Sequence, residues 1–70
     1  MIREGTAVKW KWGRGIAYGK VKNTFDHEVT HTIKGTKVTR KGSSDNKALF
    51  ITQENGNEVL KLESEVERDD

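Results

Sequence analysis

The chain has no cysteine and no proline in its 70 residues. The first absence excludes disulfides and thiolate metal centres. Small secreted domains usually depend on disulfides, so a reducing cytoplasm is the expected setting. The second absence leaves the turns to glycine and to Asn/Asp clusters. Long apolar runs are missing too, and no stretch approaches the ~20 residues of a membrane-spanning helix. Met1-Ile2-Arg3-Glu4-Gly5 lacks the apolar centre of a signal peptide. No membrane partner is expected. Helical periodicity of useful length, internal repeats and low-complexity segments are also lacking.

What is present is a polar, charged chain: 31% hydrophobic and 34% charged residues. A chain this short buries only roughly 60% of its unfolded surface. The composition therefore implies one domain over residues 1–70, with a small core and no large enclosed catalytic cavity. A monomer is the favoured state. The net charge of +2 is uneven. Glu63, Glu65, Glu67, Asp69 and Asp70 against Arg68 leave residues 63–70 at −4, while twelve Lys/Arg against six Asp/Glu leave the rest at +6. A basic body attracts anionic partners at long range. The plain alternative is a solvated surface with a solubilising tail.

Between the glycines lie short segments rich in Val, Ile, Thr and aromatics, which is strand composition. Residues 6–12 alternate: Thr6, Val8, Trp10 and Trp12 share one face, and Ala7, Lys9 and Lys11 the other. Gly13-Arg14-Gly15 turns the chain. Along residues 16–25, Ala17, Gly19, Val21, Asn23 and Phe25 point one way and Tyr18, Lys20 and Lys22 the other. Gly19 in mid-strand marks a bulge, a bend or a close backbone approach. Residues 28–41 read as a third strand or a bent pair, with Gly35 as turn or bulge. Asn55-Gly56 is the preferred centre of a two-residue hairpin. That turn sets Ile51 opposite Leu60 and Leu49 opposite Leu62, which gathers four apolar residues on one face. A single helical turn can follow Leu62, with Val66 closing the core and residues 67–70 frayed. Short strands at this spacing predict an all-β fold, a small five-stranded SH3-like barrel.

No catalytic constellation emerges. Ser43, Ser44 and Ser64 have no His-Asp arrangement at a usable spacing. The carboxylates are scattered or in the tail. His27 and His31 would sit roughly 13 Å apart along a strand, so no metal site and no cofactor is expected. The glycines around Arg14 match neither phosphate-loop fingerprint. Aromatic and basic residues are the more informative set. Trp10 is assigned to the core. Trp12, at the strand end beside the first loop, fits either core or surface. Tyr18 shares its face with Lys20 and Lys22 and is expected to be partly exposed.

Several motifs together resemble the hypervirulence-associated Tudor domains, small proteins of bacteria and fungi. These are Val8-Lys9-Trp10-Lys11-Trp12-Gly13 with Gly15, Gly19 and Val21, then Val29-Thr30-His31-Thr32 through Lys41. Ser44-Asp45-Asn46 with Ala48, Gln53-Glu54-Asn55-Gly56-Asn57, Val59-Leu60-Lys61 and Ser64-Glu65 complete the set, over roughly residues 5–66. The resemblance implies a Tudor-like barrel and carries over no activity and no site residues. One departure is visible: the family pattern has a proline after the Asp-Asn pair, and this chain has Lys47. A non-enzymatic binding module is thus expected. Its predicted surface is Lys11, Trp12, Arg14, Tyr18 and Lys20 around the first turn. Nucleic acid is the leading partner, held by phosphate contacts and base stacking. The alternative is a protein or peptide in an aromatic pocket of Tudor type, where rings cage a methylated ammonium group.

Overall fold

The computed structural model of the chain describes residues 2–69. Its elements in chain order are β1 (Ala7–Trp12), β2 (Gly15–Phe25), β3 (Glu28–Ile33), β4 (Thr36–Lys41), β5 (Ala48–Gln53), β6 (Glu58–Leu62) and β7 (Glu67–Arg68). A turn of 3₁₀ helix at Glu63–Glu65 joins β6 to β7. β6, β5, β2, β1 and β7 form one antiparallel sheet in that order, and β3 and β4 form a second. The fold is all-β and Tudor-like, as expected. The expected closed barrel of five strands is not found: seven strands divide between two sheets that do not close. The β3–β4 hairpin approaches β6 without joining its hydrogen-bond ladder.

The alternation in β1 works as the pattern requires. Val8 and Trp10 are buried with Val21, Leu49 and Ile51 on one face of the large sheet, called here the core face. Ile2 and Val66 close that cluster from the two ends of the chain. Gly19 stands in β2 because no side chain fits there. A Cβ at this position would lie 2.6 Å from Cγ2 of Ile51 and 2.9 Å from the Thr52 carbonyl oxygen. This is the close approach that a mid-strand glycine signals. The bulge lies slightly further on: Val21 pairs with Ile51, but Asn23 pairs with Phe50. An extra residue reverses the alternation. Phe25 therefore does not continue the Ala17–Val21 face, as simple alternation predicts. It joins the opposite, outer face, where its ring meets His31 at 5.7 Å.

The β5–β6 register also differs from the expected one. Ile51 pairs with Val59 and Phe50 with Leu60, one residue away from the predicted partners. Gln53 N–H donates to the Asn57 carbonyl at 2.7 Å, and Gly56, at φ +87°, ends a three-residue loop. This is the longer hairpin with a left-handed third residue. Alternation could not fix the register because Ala48, Leu49, Phe50 and Ile51 are all buried. A strand buried on both faces gives no period-two signal. The outer face at Phe50 is covered by β3, whose His31 stacks on the Phe50 ring at 4.4 Å and 16°. Lys34 at φ +52° and Gly35 at φ +79° make the β3–β4 turn, the paired positive φ values of a type I′ hairpin.

The C-terminal segment is ordered by polar contacts. Asn46 Nδ2 donates to Ser64 Oγ (3.1 Å), and Ser64 N–H donates back to Asn46 Oδ1 (3.0 Å). Lys47 N–H donates to Glu63 Oε1 at 2.8 Å. A proline at 47 has no such donor, so the departure from the family pattern supplies a bond of its own. The expected helical turn is the 3₁₀ turn, with Val66 buried behind it. Of the segment expected to fray, residues 67–69 are hydrogen-bonded to β1. Glu67 and Arg68 pair with Lys9 and Val8, and Asp69 N–H donates to the Ala7 carbonyl at 2.8 Å. Asp70 lies outside the described residues.

Candidate binding surface

The five predicted surface residues divide between two faces. Lys9 pairs with Tyr18, Lys11 with Ile16, and Ala7 with Lys20. Cross-strand partners share a face, so Lys11, Tyr18 and Lys20 lie on the outer face. Glu67 pairs with Lys9 on that same face. Tyr18 and Lys20 line a hollow of about 420 Å³ whose wall also carries Glu54 and Asp69. Lys9, Lys11 and Ile16 line a second hollow, of about 360 Å³, together with Glu65 and Glu67. Carboxylates from the C-terminal segment are thus interleaved with the lysines of the outer face. Arg14 occupies the β1–β2 turn. Gly13 at φ +56° before it is the first central residue of a II′-type hairpin.

Trp12 lies on the core face, beyond the end of the core. Its cross-strand neighbour is Gly15, which has no side chain to cover the indole, and Trp12 is 73% exposed. Trp10, two residues earlier and opposite Ala17, is only 6% exposed. From Trp12 a cleft of about 450 Å³ runs between three hairpin ends. Its apolar wall includes Trp12, Ile33 and Val59. Its cations are Lys34, from the β3–β4 turn, and Lys61, from β6, against one carboxylate, Glu58. Three amides come from the β5–β6 hairpin end: Gln53, the last residue of β5, and Asn55 and Asn57 from the loop. Asn55 Oδ1 accepts the Asn57 N–H at 3.0 Å, which ties the loop to itself. Among the described residues no intramolecular partner is found for the side chains of Gln53 and Asn57.

Tyr18 and Phe25 do not join the two tryptophans at the cleft. Trp10 is buried, Tyr18 is on the outer face, and Phe25 packs its ring against His27 and His31. A cage for a methylated ammonium needs several exposed ring faces around one point, and of the two indoles that line the cleft only Trp12 is exposed, beside two lysines. His27 Nδ1–H donates to Asp26 Oδ1 at 3.1 Å. That bond holds the Asp26 carboxyl below its usual value, and Asp26 is not part of the cleft wall. Of the five residues expected at the surface only Trp12 lines this cleft; Ile33, Lys34, Lys61, Gln53, Asn55 and Asn57 were not among them. All but Lys61, which lies inside β6, have one visible signal: they flank the turns at Gly35 and Gly56.

Comparison with known proteins agrees with the architecture. Residues 5–66 match the family described as Hypervirulence associated proteins TUDOR domain. No curated protein and no solved structure matches the chain.

Proposed function

The chain belongs to the hypervirulence-associated Tudor-domain family, and we propose that it is a non-catalytic module that binds nucleic acid at the Trp12 cleft. Tudor domains are generally binding modules for proteins or nucleic acids. The observation that carries the choice is an indole 73% exposed in a cleft whose cations are Lys34 and Lys61. An exposed ring offers a face on which any base can stack. The two ammonium groups sit at its border, where phosphates of the same strand can reach them. Arg14 stands on the β1–β2 turn, two residues beyond Trp12, and is not part of the cleft wall. A cationic methyl-lysine peptide would instead meet two like charges. The predicted surface is thereby moved: Trp12 is kept, Arg14 flanks it, and Lys11, Tyr18 and Lys20 fall outside.

The test is fluorescence anisotropy with a labelled short single-stranded DNA at rising salt. Binding is expected at micromolar protein, weakening as salt rises. Replacing Lys34 and Lys61 by Gln is expected to flatten the logarithmic salt slope by about 0.7 for each phosphate that is no longer neutralised. No binding at micromolar protein, or binding indifferent to salt, would end this reading.

A further inference from the structure

Resting on that reading, we infer that the cleft takes one unpaired base, stacked on Trp12 with its edge against the loop amides. Phosphate attraction alone does not explain what surrounds the indole. Gln53, at the end of β5, and Asn55 and Asn57, in the loop after it, bring three carboxamide residues to the same cleft. A carboxamide offers one acceptor and two donors. The complementary pattern is the hydrogen-bonding edge of a base, which a carboxamide can contact through two bonds at once. In a duplex the Watson–Crick edge is occupied by the partner base. In a single strand it is free, and proteins read it by stacking plus edge contacts.

The loop is prepared for this. Asn55 Oδ1 is held by the Asn57 N–H, and the Gly56 N–H donates to the Gln53 carbonyl at 2.9 Å. These bonds restrain the backbone that carries the amides. They leave the Asn55 Nδ2 and the whole amides of Gln53 and Asn57 for a ligand. Ile33 and Val59 supply apolar surface elsewhere in the cleft. Trp12 is on the opposite side of β1 from Lys11, and only Trp10, Ile16 and Gln53 border both the cleft and the hollows of the outer face.

The experiment compares four probes by anisotropy at one low salt concentration. They are single-stranded homopolymers of each base, the same backbone carrying abasic sites, a blunt duplex, and a poly-glutamate peptide. Base-containing single strands are expected to bind on the order of tenfold more tightly than the abasic strand, the scale of one stacked base. They should also bind more tightly than the duplex, and the homopolymers should differ among themselves. Replacing Gln53 and Asn57 by Ala, with the fold checked by circular dichroism, is expected to lower affinity severalfold and to level the homopolymers. If the abasic strand binds as well as the others, or the amide variant changes nothing, this inference falls while nucleic-acid binding stands. If only the poly-glutamate peptide binds, both fall.

Discussion

Lysines border both the outer face of the first hairpin and the Trp12 cleft, yet the two surfaces are built differently. The outer face of β1–β2 carries Lys9, Lys11 and Lys20 with the half-exposed Tyr18 and Ile16. Glu67 and Asp69 are zipped alongside β1 on the same face, and Glu54 and Glu65 border its hollows. The open end has fewer cations, Lys34 and Lys61, against one carboxylate, Glu58. It also has the most exposed aromatic ring and three amides. Exposed charges a few ångströms apart in water interact weakly and are screened by salt. A count of lysines is therefore a poor guide to an anion site. A ring with cations at its border and little countercharge is a better one.

The largest expected effect comes from removing one side of the comparison. Gly42 ends the second sheet, and its N–H donates to the His27 carbonyl at 3.1 Å. A Cβ there would stand 2.8 Å from Ala48 N and 2.9 Å from the His27 carbonyl oxygen, and would also press on the Phe25 carbonyl. All three are backbone atoms and cannot swing aside. Gly42→Ala is expected to cost about 1–3 kcal/mol of stability, read by thermal or urea unfolding. It should unseat β3–β4 and with it the Ile33–Lys34 wall, leaving the outer face of β1–β2 intact. A variant as stable as the parent would show that this anchor is not needed.

Next in size is the contrast between the two rings. Trp12→Ala should weaken single-strand binding by roughly 1–3 kcal/mol, the loss of one stacked base. Tyr18→Ala should change affinity by less than about twofold, since the outer face is mixed in charge. Equal losses in the two variants would erase the distinction between the surfaces. A smaller effect is expected at His31. Its stack on Phe50 holds the hairpin that carries Lys34 to the cleft. Removing such a ring pair costs about 1 kcal/mol. His31→Ala should therefore lower the melting temperature by a few degrees and weaken binding modestly, through the loosened tip.

Much of this architecture was legible in the chain. Val8 and Trp10 announce a buried face by alternation, and Gly19 announces a close approach that the Ile51 side chain accounts for. Other parts were hidden for physical reasons. The β5 segment is apolar on both sides, so its register followed the three-residue loop rather than any pattern. The bulge after Val21 reversed the face of Phe25, and no residue type marks it. The proposed site was half legible. Trp12 was visible as a ring at a strand end. Lys11 and Lys20 were grouped with it because they are near it in sequence, although adjacent strand residues point to opposite faces. Lys34, Asn57 and Lys61 are distant in sequence, and only the meeting of three hairpin ends brings them to the indole.

The smallest expected effect asks why the outer face should be silent. If Glu67 and Asp69 neutralise Lys9, Lys11 and Lys20, then removing the two negative charges should reveal weak anion binding there. The cleft would mask so small a gain, so the change is best made in the Trp12→Ala background. In that background Glu67→Gln with Asp69→Asn is expected to restore a fraction of the lost affinity, worth less than about 1 kcal/mol, and steeply sensitive to salt. The Asp69 N–H bond to the Ala7 carbonyl is backbone and survives both changes, so β7 should stay paired and the fold should not confuse the reading. No gain would mean that the lysines on this face are too dispersed to hold an anion even when unopposed. The geometry of the cleft, and not the absence of countercharge, would then account for the difference between the two surfaces.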